Sequence, residues 1–356
     1  MVIGGGWGLD GTNIQEYIFT CSATSGVPYA VSIVEEDNEE HPHQSKDLKK
    51  QFIKKLMGEN WVGVKREPVM KPNNRTVSSC VPVQVPARPT KRDDFAICVP
   101  VAYRSIDPYR LIEWLELQRL LGVSRVGVAH IGLNKNSLAV LEHYRREGFL
   151  DLRRTDRLTL KPDGDHRRLH STPTINDCVL RNMHQFNWIL VLDFDEFILP
   201  RRHGTLRELV QYLDGKGMTG GRLPATGYVF RNNYFFLDLQ PDDSISPYLA
   251  VLRYRSKVPV SERGYSVKSM INPRACSRMH NHVCWGRVEA YSKYAGDVEV
   301  DVEDGLNQHY KRCHFSPEKC RLMMQNVTLD NGMLRFEEQL TSRVRLKVKE
   351  IMGHDL

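Results

Sequence analysis

The sequence lacks long hydrophobic runs: its longest uninterrupted apolar stretches, such as Trp188–Leu192, are five residues. A transmembrane helix needs about 20 consecutive apolar residues, so none is predicted in the 356-residue chain. The first residues, MVIGGGWGLDG, contain neither a basic region nor an apolar core, so no signal peptide is predicted. If the protein is secretory, we expect its targeting segment to lie outside this sequence.

The sequence also lacks a concentrated charge of one sign. Fifty basic residues stand against 43 acidic residues, which gives a net charge of +7. The basic residues are scattered, with short clusters only at Lys46–Lys55 and Arg167–Arg168, which is typical of solvated helix and loop faces. We therefore do not predict a nucleic-acid-binding protein, although the balance permits an anionic ligand such as a nucleotide diphosphate.

Cysteine is sparse, and its eight positions fit either free thiols in the cytosol or disulfides in the secretory lumen. Two N-glycosylation sequons, at Asn74 and Asn326, favour the lumen weakly. One cluster, Cys276-x3-His280-x-His282-x-Cys284, has the ligand types of a zinc site but not the usual spacing. Disulfides or free thiols, structural zinc, and an active-site role for one of these histidines all stay open. The eight cysteines are Cys21, Cys80, Cys98, Cys178, Cys276, Cys284, Cys313 and Cys320.

Residues 1–94 differ in pattern from the rest of the chain. Three β-like stretches, Tyr17–Cys21, Tyr29–Val34 and Val77–Val85, are separated by turn-forming residues, and one helix is predicted over Lys46–Met57. A proline-rich run then resists both helix and central strand. We predict a β-rich N-terminal region over 1–94, a catalytic domain over 95–325 and a helical tail over 326–356.

After Asp94 strands and helices alternate at short spacing, which predicts an α/β fold with a mostly parallel central sheet and flanking helices. Ligands of such sheets bind at the carboxyl ends of the strands. The predicted strands are Phe95–Val101, Arg125–His130, Phe149–Leu152 and Asn187–Leu192, and the helices Tyr109–Leu121, Ser137–Arg146 and one from Thr172. Later β-like stretches are Gly227–Phe230, Tyr248–Tyr254, Tyr265–Ile271 and Val283–Tyr291.

The sharpest motif is the apolar strand that ends in Asp193, Asp195 and Glu196. Clustered carboxylates repel one another unless a cation or a proton offsets them. Asp193 and Asp195, two apart in an extended chain, point to the same side and are predicted to share one divalent metal ion. Such an ion neutralises a diphosphate leaving group. The competing interpretation is a polar strand end with helix-capping carboxylates.

Two chemistries use Asp-x-Asp after a hydrophobic strand. In haloacid-dehalogenase phosphotransferases the first aspartate is a nucleophile, and Thr or Val normally lies four residues later, where this chain has Phe197. That motif also opens its domain, whereas here it follows some 95 residues of α/β pattern. In nucleotide-sugar glycosyltransferases of the GT-A type, Asp-x-Asp ends a strand midway through the domain. The placement favours the second chemistry, and an aspartyl-phosphate mechanism stays as the alternative.

Residues from about Phe95 to Cys320 resemble glycosyltransferase family 92. The resemblance rests on five ordered blocks: Arg110–Val123, Asn176–Arg181, Trp188–Pro200, Lys268–Pro273 and Asn307–Cys313. It implies a GT-A-like fold, Mn²⁺ or Mg²⁺, and transfer of a hexose, typically galactose from UDP-galactose, to a glycan acceptor by an inverting mechanism. It also implies a type II membrane protein of the Golgi, of which this chain is a lumenal portion. An inactive relative that binds glycans or nucleotides without turnover is the other alternative.

The resemblance and residue chemistry together give candidate roles. Asp193, Asp195 and His309 are predicted to hold the metal. Glu196 is expected to support these ligands or contact the sugar. Lys268 and Lys311 are candidates for the diphosphate, with Lys311 where the family usually has arginine, which loses bidentate contact. Asp177 and Arg181 form a surface ion pair or line the nucleotide pocket. An inverting transferase needs a general base, and the sequence does not choose among Asp238, Asp242, Asp243 and Glu262.

Overall fold

The computed structural model describes residues 88–103, 105–155, 167–216 and 224–355, and the backbone of four short strands before residue 88. The chain forms two compact units, Met1–Pro86 with Asp156–Pro173, and Ala87–Thr155 with Thr174–Leu356. The strands of the first unit are β1 (Val2–Gly4), β2 (Tyr17–Phe19), β3 (Ala30–Ile33) and β4 (Val81–Pro82), paired antiparallel as β1–β2 and β3–β4. Each predicted β-like stretch of this region contains one strand. The helix predicted at Lys46–Met57 lies outside the described residues.

The second unit contains a seven-stranded sheet in the order β16-β10-β13-β8-β5-β6-β7. Its strands are β5 (Asp93–Tyr103), β6 (Arg125–Ile131), β7 (Leu150–Arg154), β8 (Phe186–Val191), β10 (Gly227–Phe230), β13 (Lys268–Ile271) and β16 (Asp297–Glu299). Strand β5 pairs parallel with β6 and β8, and β6–β7 and β10–β16 are also parallel, while β13 runs antiparallel to both neighbours. The predicted α/β class with a mostly parallel sheet is confirmed.

The strand order places a switch point between β5 and β8, because β6 and β7 extend to one side of β5 and β8 lies on the other. In open α/β sheets, ligands bind in the crevice outside the carboxyl ends of the strands at such a point. The Asp-x-Asp segment follows β8 directly. The fold therefore brings this motif to the position where a ligand is expected.

The helices of the described residues are α1 (Pro108–Leu120), α2 (Lys135–Arg146), α3 (Arg167–Asn182), α4 (Leu206–Gly215), α5 (Ala250–Arg253), α6 (Pro317–Met324) and α7 (Glu337–Met352). Asp107 caps α1 through its side chain, Pro108 opens it, and Gly122 follows with a left-handed φ of 95°. Helix α7, which falls in the predicted tail, buries Leu340 and Val344 within the second unit.

The β-like interpretation of Tyr248–Tyr254 is wrong, because this segment contains α5. Its apolar residues are buried, and the backbone N–H of Val251 donates to the carboxylate of Glu113 on α1 at 2.9 Å. Glu113 therefore caps the start of a short helix from a distance of more than 100 residues in sequence. Tertiary contact outweighs the β-propensity of the local residues here.

A second sheet, of three strands, includes the strand that begins directly after Asp195. It contains β11 (Asn232–Phe236), β17 (Gly305–Lys311) and β9 (Glu196–Pro200), in which β11 is parallel and β9 antiparallel to β17. The β9–β17 register places Glu196 opposite His309. This pairing joins two of the family-like blocks across more than 100 residues of sequence.

Three disulfides lie in the second unit: Cys98–Cys178, Cys276–Cys284 and Cys313–Cys320. The second closes a hairpin of β14 (Cys276–Met279) and β15 (Cys284–Arg287). Because both of its cysteines are oxidised, no thiolate is left there for the zinc site that the sequence held open. Among the described residues, no helix has the length and apolar character that crossing a membrane requires.

Candidate active site

The Asp-x-Asp motif forms a turn after β8. The N–H of Glu196 donates to the carbonyl of Asp193 at 3.1 Å, and the N–H of Asp193 donates to Oε2 of Glu196 at 3.0 Å. The segment is thus not the extended chain that the sequence predicted. The turn directs Asp193 and Asp195 to different partners, and neither carboxylate is deeply buried, with 42% and 33% of the two side chains exposed.

Asp195 faces His309. Its Oδ2 lies 3.3 Å from Nε2 of the imidazole, and the N–H of Tyr310 fixes the Asp195 carbonyl at 2.8 Å. Burial alone raises the pKa of Asp195, but His309 outweighs it, so the pKa lies below the usual value and the carboxylate is ionised. Two ligand atoms on one cation, each about 2.1 Å from it and at right angles, lie about 3 Å apart. The spacing and chemistry of this pair therefore fit a divalent metal ion.

Asp193 faces Lys268, the first residue of β13. The ammonium nitrogen lies 3.0 Å from Oδ2 of Asp193 and 2.7 Å from Oε2 of Glu196. Burial lowers the pKa of Lys268, but the two carboxylates outweigh it and raise the pKa above the usual value. Only 1% of Lys268 is exposed. Its ammonium group therefore neutralises the two carboxylates from the protein interior and does not reach a diphosphate that binds from solvent. The buried ammonium group of Lys268 thus offsets part of the repulsion between the clustered carboxylates.

Glu196 is buried and contacts several of the other residues of the site. It is 2% exposed, and besides Lys268 its carboxylate contacts Nδ1 of His309 at 3.2 Å and Nδ2 of Asn307 at 3.4 Å. Burial raises the pKa of Glu196, but Lys268 and His309 outweigh it, so the carboxylate stays ionised. With both oxygens engaged internally, Glu196 supports Asp193 and His309. Its carboxylate is thus largely enclosed by partners within the protein.

Helix α1 supports the turn through a stripe of hydrogen-bonding side chains that was not predicted from the sequence. Trp114 Nε1 donates to the carbonyl of Glu196 at 2.9 Å, Gln118 Nε2 reaches the same carbonyl at 3.5 Å, and Arg110 Nη2 donates to the carbonyl of Tyr310 at 2.7 Å. The three residues are four apart, so they share one helix face. That spacing within an otherwise apolar block was the available signal.

The remaining binding candidates differ in their proximity. Lys311 lies close enough to Asp195 for its charge to lower the pKa of that carboxylate. Asp177 and Arg181 form an i,i+4 ion pair at 2.7 Å on α3, with both side chains partly exposed. The described contacts do not bring this pair to Asp193 or Asp195, and they match the surface ion pair that the sequence left open.

Three of the four candidate bases have side-chain partners of their own. Asp242 pairs with Arg255, and hydrogen bonds from Ser244 and then Arg255 lower its pKa, which disfavours proton uptake. The other three are Asp243, which pairs with Arg253, Asp238, which accepts from the N–H of Cys313 at 2.7 Å, and the exposed Glu262. Within the described part of the chain, none contacts Asp193, Asp195 or His309, so no base is assigned.

The two histidines of the hairpin contact an aromatic ring and a backbone carbonyl. His280 stacks on Trp285 with ring centroids 4.0 Å apart, and burial and then His282 lower its pKa to about 4. His282 Nδ1 lies 2.8 Å from the carbonyl of Val267, next to Lys268. The hairpin turn therefore reaches the candidate active site, although its imidazoles do not contact Asp193 or Asp195 in the described structure.

Comparison with protein families gives one match. The model of glycosyltransferase family 92 covers residues 93–352. This range contains all five blocks and every residue of the candidate site. No curated protein matches the chain.

Solved structures give weaker likenesses. The crystal structure of TarS from S. aureus is 12% identical over 74% of this chain, which spans 44% of the length of TarS, with a TM-score of 0.34. TarS 1–349 in complex with UDP is 10% identical over 73% of this chain and 72% of its own, at 0.31, and the complex with UDP-GlcNAc is 13% identical over 74% and 68%, at 0.30. These values are too low to carry a conclusion about fold or ligand.

Proposed function

Since the chain belongs to glycosyltransferase family 92, we propose that it is a metal-dependent enzyme that transfers galactose from UDP-galactose to a glycan with inversion. The observation that carries the metal dependence is the Asp195–His309 pair, held at 3.3 Å beside the switch point of the sheet. The donor sugar and the stereochemistry follow from family habit. A UDP-sugar and a glycan acceptor are the partners in this proposal.

Mn²⁺ suits the donor set better than Mg²⁺. Magnesium takes oxygen ligands in near-ideal octahedral geometry, whereas imidazole nitrogen is a ligand of transition metals. Asp195 and His309 would hold the ion, which when bound would neutralise the diphosphate leaving group. Oδ2 of Asp193 accepts a hydrogen bond from Lys268. In this proposal Asp193 therefore accepts hydrogen bonds from hydroxyl groups of the sugar nucleotide and is not an equal ligand of the metal.

The surrounding residues hold this geometry. Glu196 and Lys268 fix the carboxylates from below, and Trp114 fixes the turn through the Glu196 carbonyl. Lys311, whose charge acts on Asp195, is proposed to lie against the diphosphate. A lysine there supplies positive charge to the phosphates without the bidentate hydrogen bonds that arginine makes. In this proposal Lys311, and not Lys268, contacts the phosphates directly.

The test is release of the nucleoside diphosphate, UDP or GDP, from UDP-galactose, UDP-glucose, UDP-GlcNAc and GDP-mannose with Mn²⁺, with Mg²⁺ and with EDTA. We expect Mn²⁺-dependent release from UDP-galactose that Asp195→Asn removes and the surface variant Asp177→Asn keeps. Release that persists in EDTA would contradict the metal role. Binding of UDP with no turnover across donors and acceptors would favour the inactive relative, and capture of beryllium fluoride by Asp193 would favour the aspartyl-phosphate alternative.

We further propose that the protein works in the Golgi lumen, where three disulfides are stable. Asn326 is exposed within its sequon, so a secreted form is expected to carry a glycan there. The measurement is the mobility shift after glycosidase treatment, with Thr328→Ala as the matched variant. Protein isolated from its native cells with no glycan at Asn326 would count against this localisation.

A further inference from the structure

The hairpin β14–β15 is anchored at both ends. The disulfide Cys276–Cys284 closes it, and Asn176 on α3 clamps Met279 by accepting from its N–H and donating to its carbonyl, both at 2.8 Å. The turn of residues 280–283 is closed by the N–H of His280 donating to the carbonyl of Val283 at 3.0 Å. The position of this turn is therefore set independently of the Asp-x-Asp segment.

The turn lies against the start of β13. Ser269 Oγ donates to the carbonyl of His282, and Nδ1 of His282 lies 2.8 Å from the carbonyl of Val267. Between these two contacts, Lys268 Nζ donates to Oδ1 of Asn281 at 3.1 Å. A lysine ammonium has three N–H donors. Here the three face three oxygens, from Asp193, Glu196 and Asn281.

We propose that Asn281 is a positioning residue that acts through Lys268 on Asp193. The ammonium is buried, so an N–H without an acceptor carries the full desolvation penalty of a charged group. With Asn281 in place, the third N–H is satisfied and the other two aim at Asp193 and Glu196. Without it, the ammonium turns to satisfy all three protons on two carboxylates, and the Asp193 carboxylate follows it away from the geometry that the donor needs.

This inference deepens the proposed function and rests on it for the effect on donor binding. The contact itself belongs to the free protein and is measurable without any ligand. The matched variants are Asn281→Leu, which keeps size and removes the acceptor, and Asn281→Asp, which keeps an acceptor oxygen. Val283→Ala is the control in the same turn, because the backbone bond that closes the turn is unchanged.

The first measurement is the ¹H–¹⁵N spectrum of lysine ammonium groups in [¹⁵N]lysine-labelled protein, in which buried, hydrogen-bonded ammonium groups exchange slowly enough to be seen. We expect Asn281→Leu to shift or remove one such signal that Val283→Ala leaves in place. Ammonium signals that are identical in Asn281→Leu and wild type would overturn the inference, whatever the enzyme does.

The second measurement is the affinity for UDP with Mn²⁺ by calorimetry, well below the melting temperature of every variant. We expect Asn281→Leu to weaken it about tenfold, which is about the effect of one lost hydrogen bond, and Asn281→Asp to recover most of the loss. Unchanged affinity in Asn281→Leu would also overturn the positioning role. A wild type that binds no UDP would instead refute the proposed function, and the ammonium spectrum alone would then decide on the contact.

Discussion

Two regions of the second unit gather carboxylates, and they differ in how the charges are balanced. In the candidate site, Asp193, Asp195 and Glu196 contact one lysine and one histidine. On the face shared by α1, α2 and α7, three glutamates meet two arginines, one lysine and one histidine. This second group, the helical charge cluster, consists of Glu116, Arg119, His143, Glu147, Arg343, Lys347 and Glu350.

By the spacing of ligand atoms alone, the helical charge cluster is the better metal site. His143, Glu147 and Glu350 bring three ligand atoms within 4.8 Å of one another, the one such group in the described part of the chain. Its carboxylates, however, are already bound by Lys347 at 2.5 and 2.6 Å. In the candidate site negative charge exceeds positive charge, and that excess favours a divalent cation. Spacing without an uncompensated charge does not make a metal site.

The largest expected difference between the two regions is in stability. Lys268→Met leaves the buried carboxylate of Glu196 without its cation, and breaking a buried ion pair typically costs about 3–5 kcal/mol. The matched change Lys347→Met removes a partly exposed pairing and is expected to cost about 1 kcal/mol or less. Urea unfolding of the two variants measures this. Equal losses would show that the two clusters are energetically alike.

Activity separates the regions next. Asp195→Asn is expected to lower Mn²⁺-dependent UDP release at least about 100-fold, as for loss of one preorganised electrostatic group in an active site, with the melting temperature little changed. Glu147→Gln is the matched change in the helical charge cluster and should keep full activity. Comparable activity in both variants would remove Asp195 from the metal site.

Acid stability tests the helical charge cluster in turn. Partial burial raises the pKa of Glu147, but Lys347 and Arg119 outweigh it and lower the pKa to about 2. Because the folded pKa lies below the unfolded value of 4.5, this stabilisation is present above pH 4.5 and is lost as the pH falls toward 2. After allowance for solvent screening it contributes about 1 kcal/mol. Wild type and Glu147→Gln should therefore differ in melting temperature at pH 7 and converge near pH 2, and a constant gap would refute this pKa.

The smallest expected effect is that of Glu350→Gln. Its carboxylate is exposed and already paired with Lys347, so the change is expected to cost less than about 0.5 kcal/mol. Mn²⁺ affinity, measured by titration calorimetry, should equal that of the wild type. Weaker Mn²⁺ binding in this variant would mean that the helical charge cluster holds metal after all.

Local signals predicted much of this fold. The strand–helix alternation after Asp94 and the helix predicted over Tyr109–Leu121 depend on short-range sequence chemistry, and the structure contains both. The Asp-x-Asp motif was visible because three carboxylates after an apolar strand are unusual. These features need no knowledge of what packs against them.

The partners of the motif were not predictable in the same way. The opposition of Glu196 and His309 depends on the register between two strands far apart in sequence. Lys268 in a short apolar strand looks like any strand lysine until burial is known. The misassigned α5 has the same origin, because the carboxylate of Glu113 that caps it comes from another helix. Long-range pairing decides these features, and one sequence does not display it.

The direction of β13 has a consequence for how a site of this kind is assembled. Met270 lies opposite Leu190, and Ile271 opposite Ile189, so reading β13 backwards leads toward the end of β8 and brings Lys268 beside the carboxylates. A parallel strand with the same residues would present its last position there and leave its first about 10 Å away, at about 3.3 Å per residue. Reversing one strand thus lets Lys268, at the start of β13, join the carboxylates that follow the end of β8.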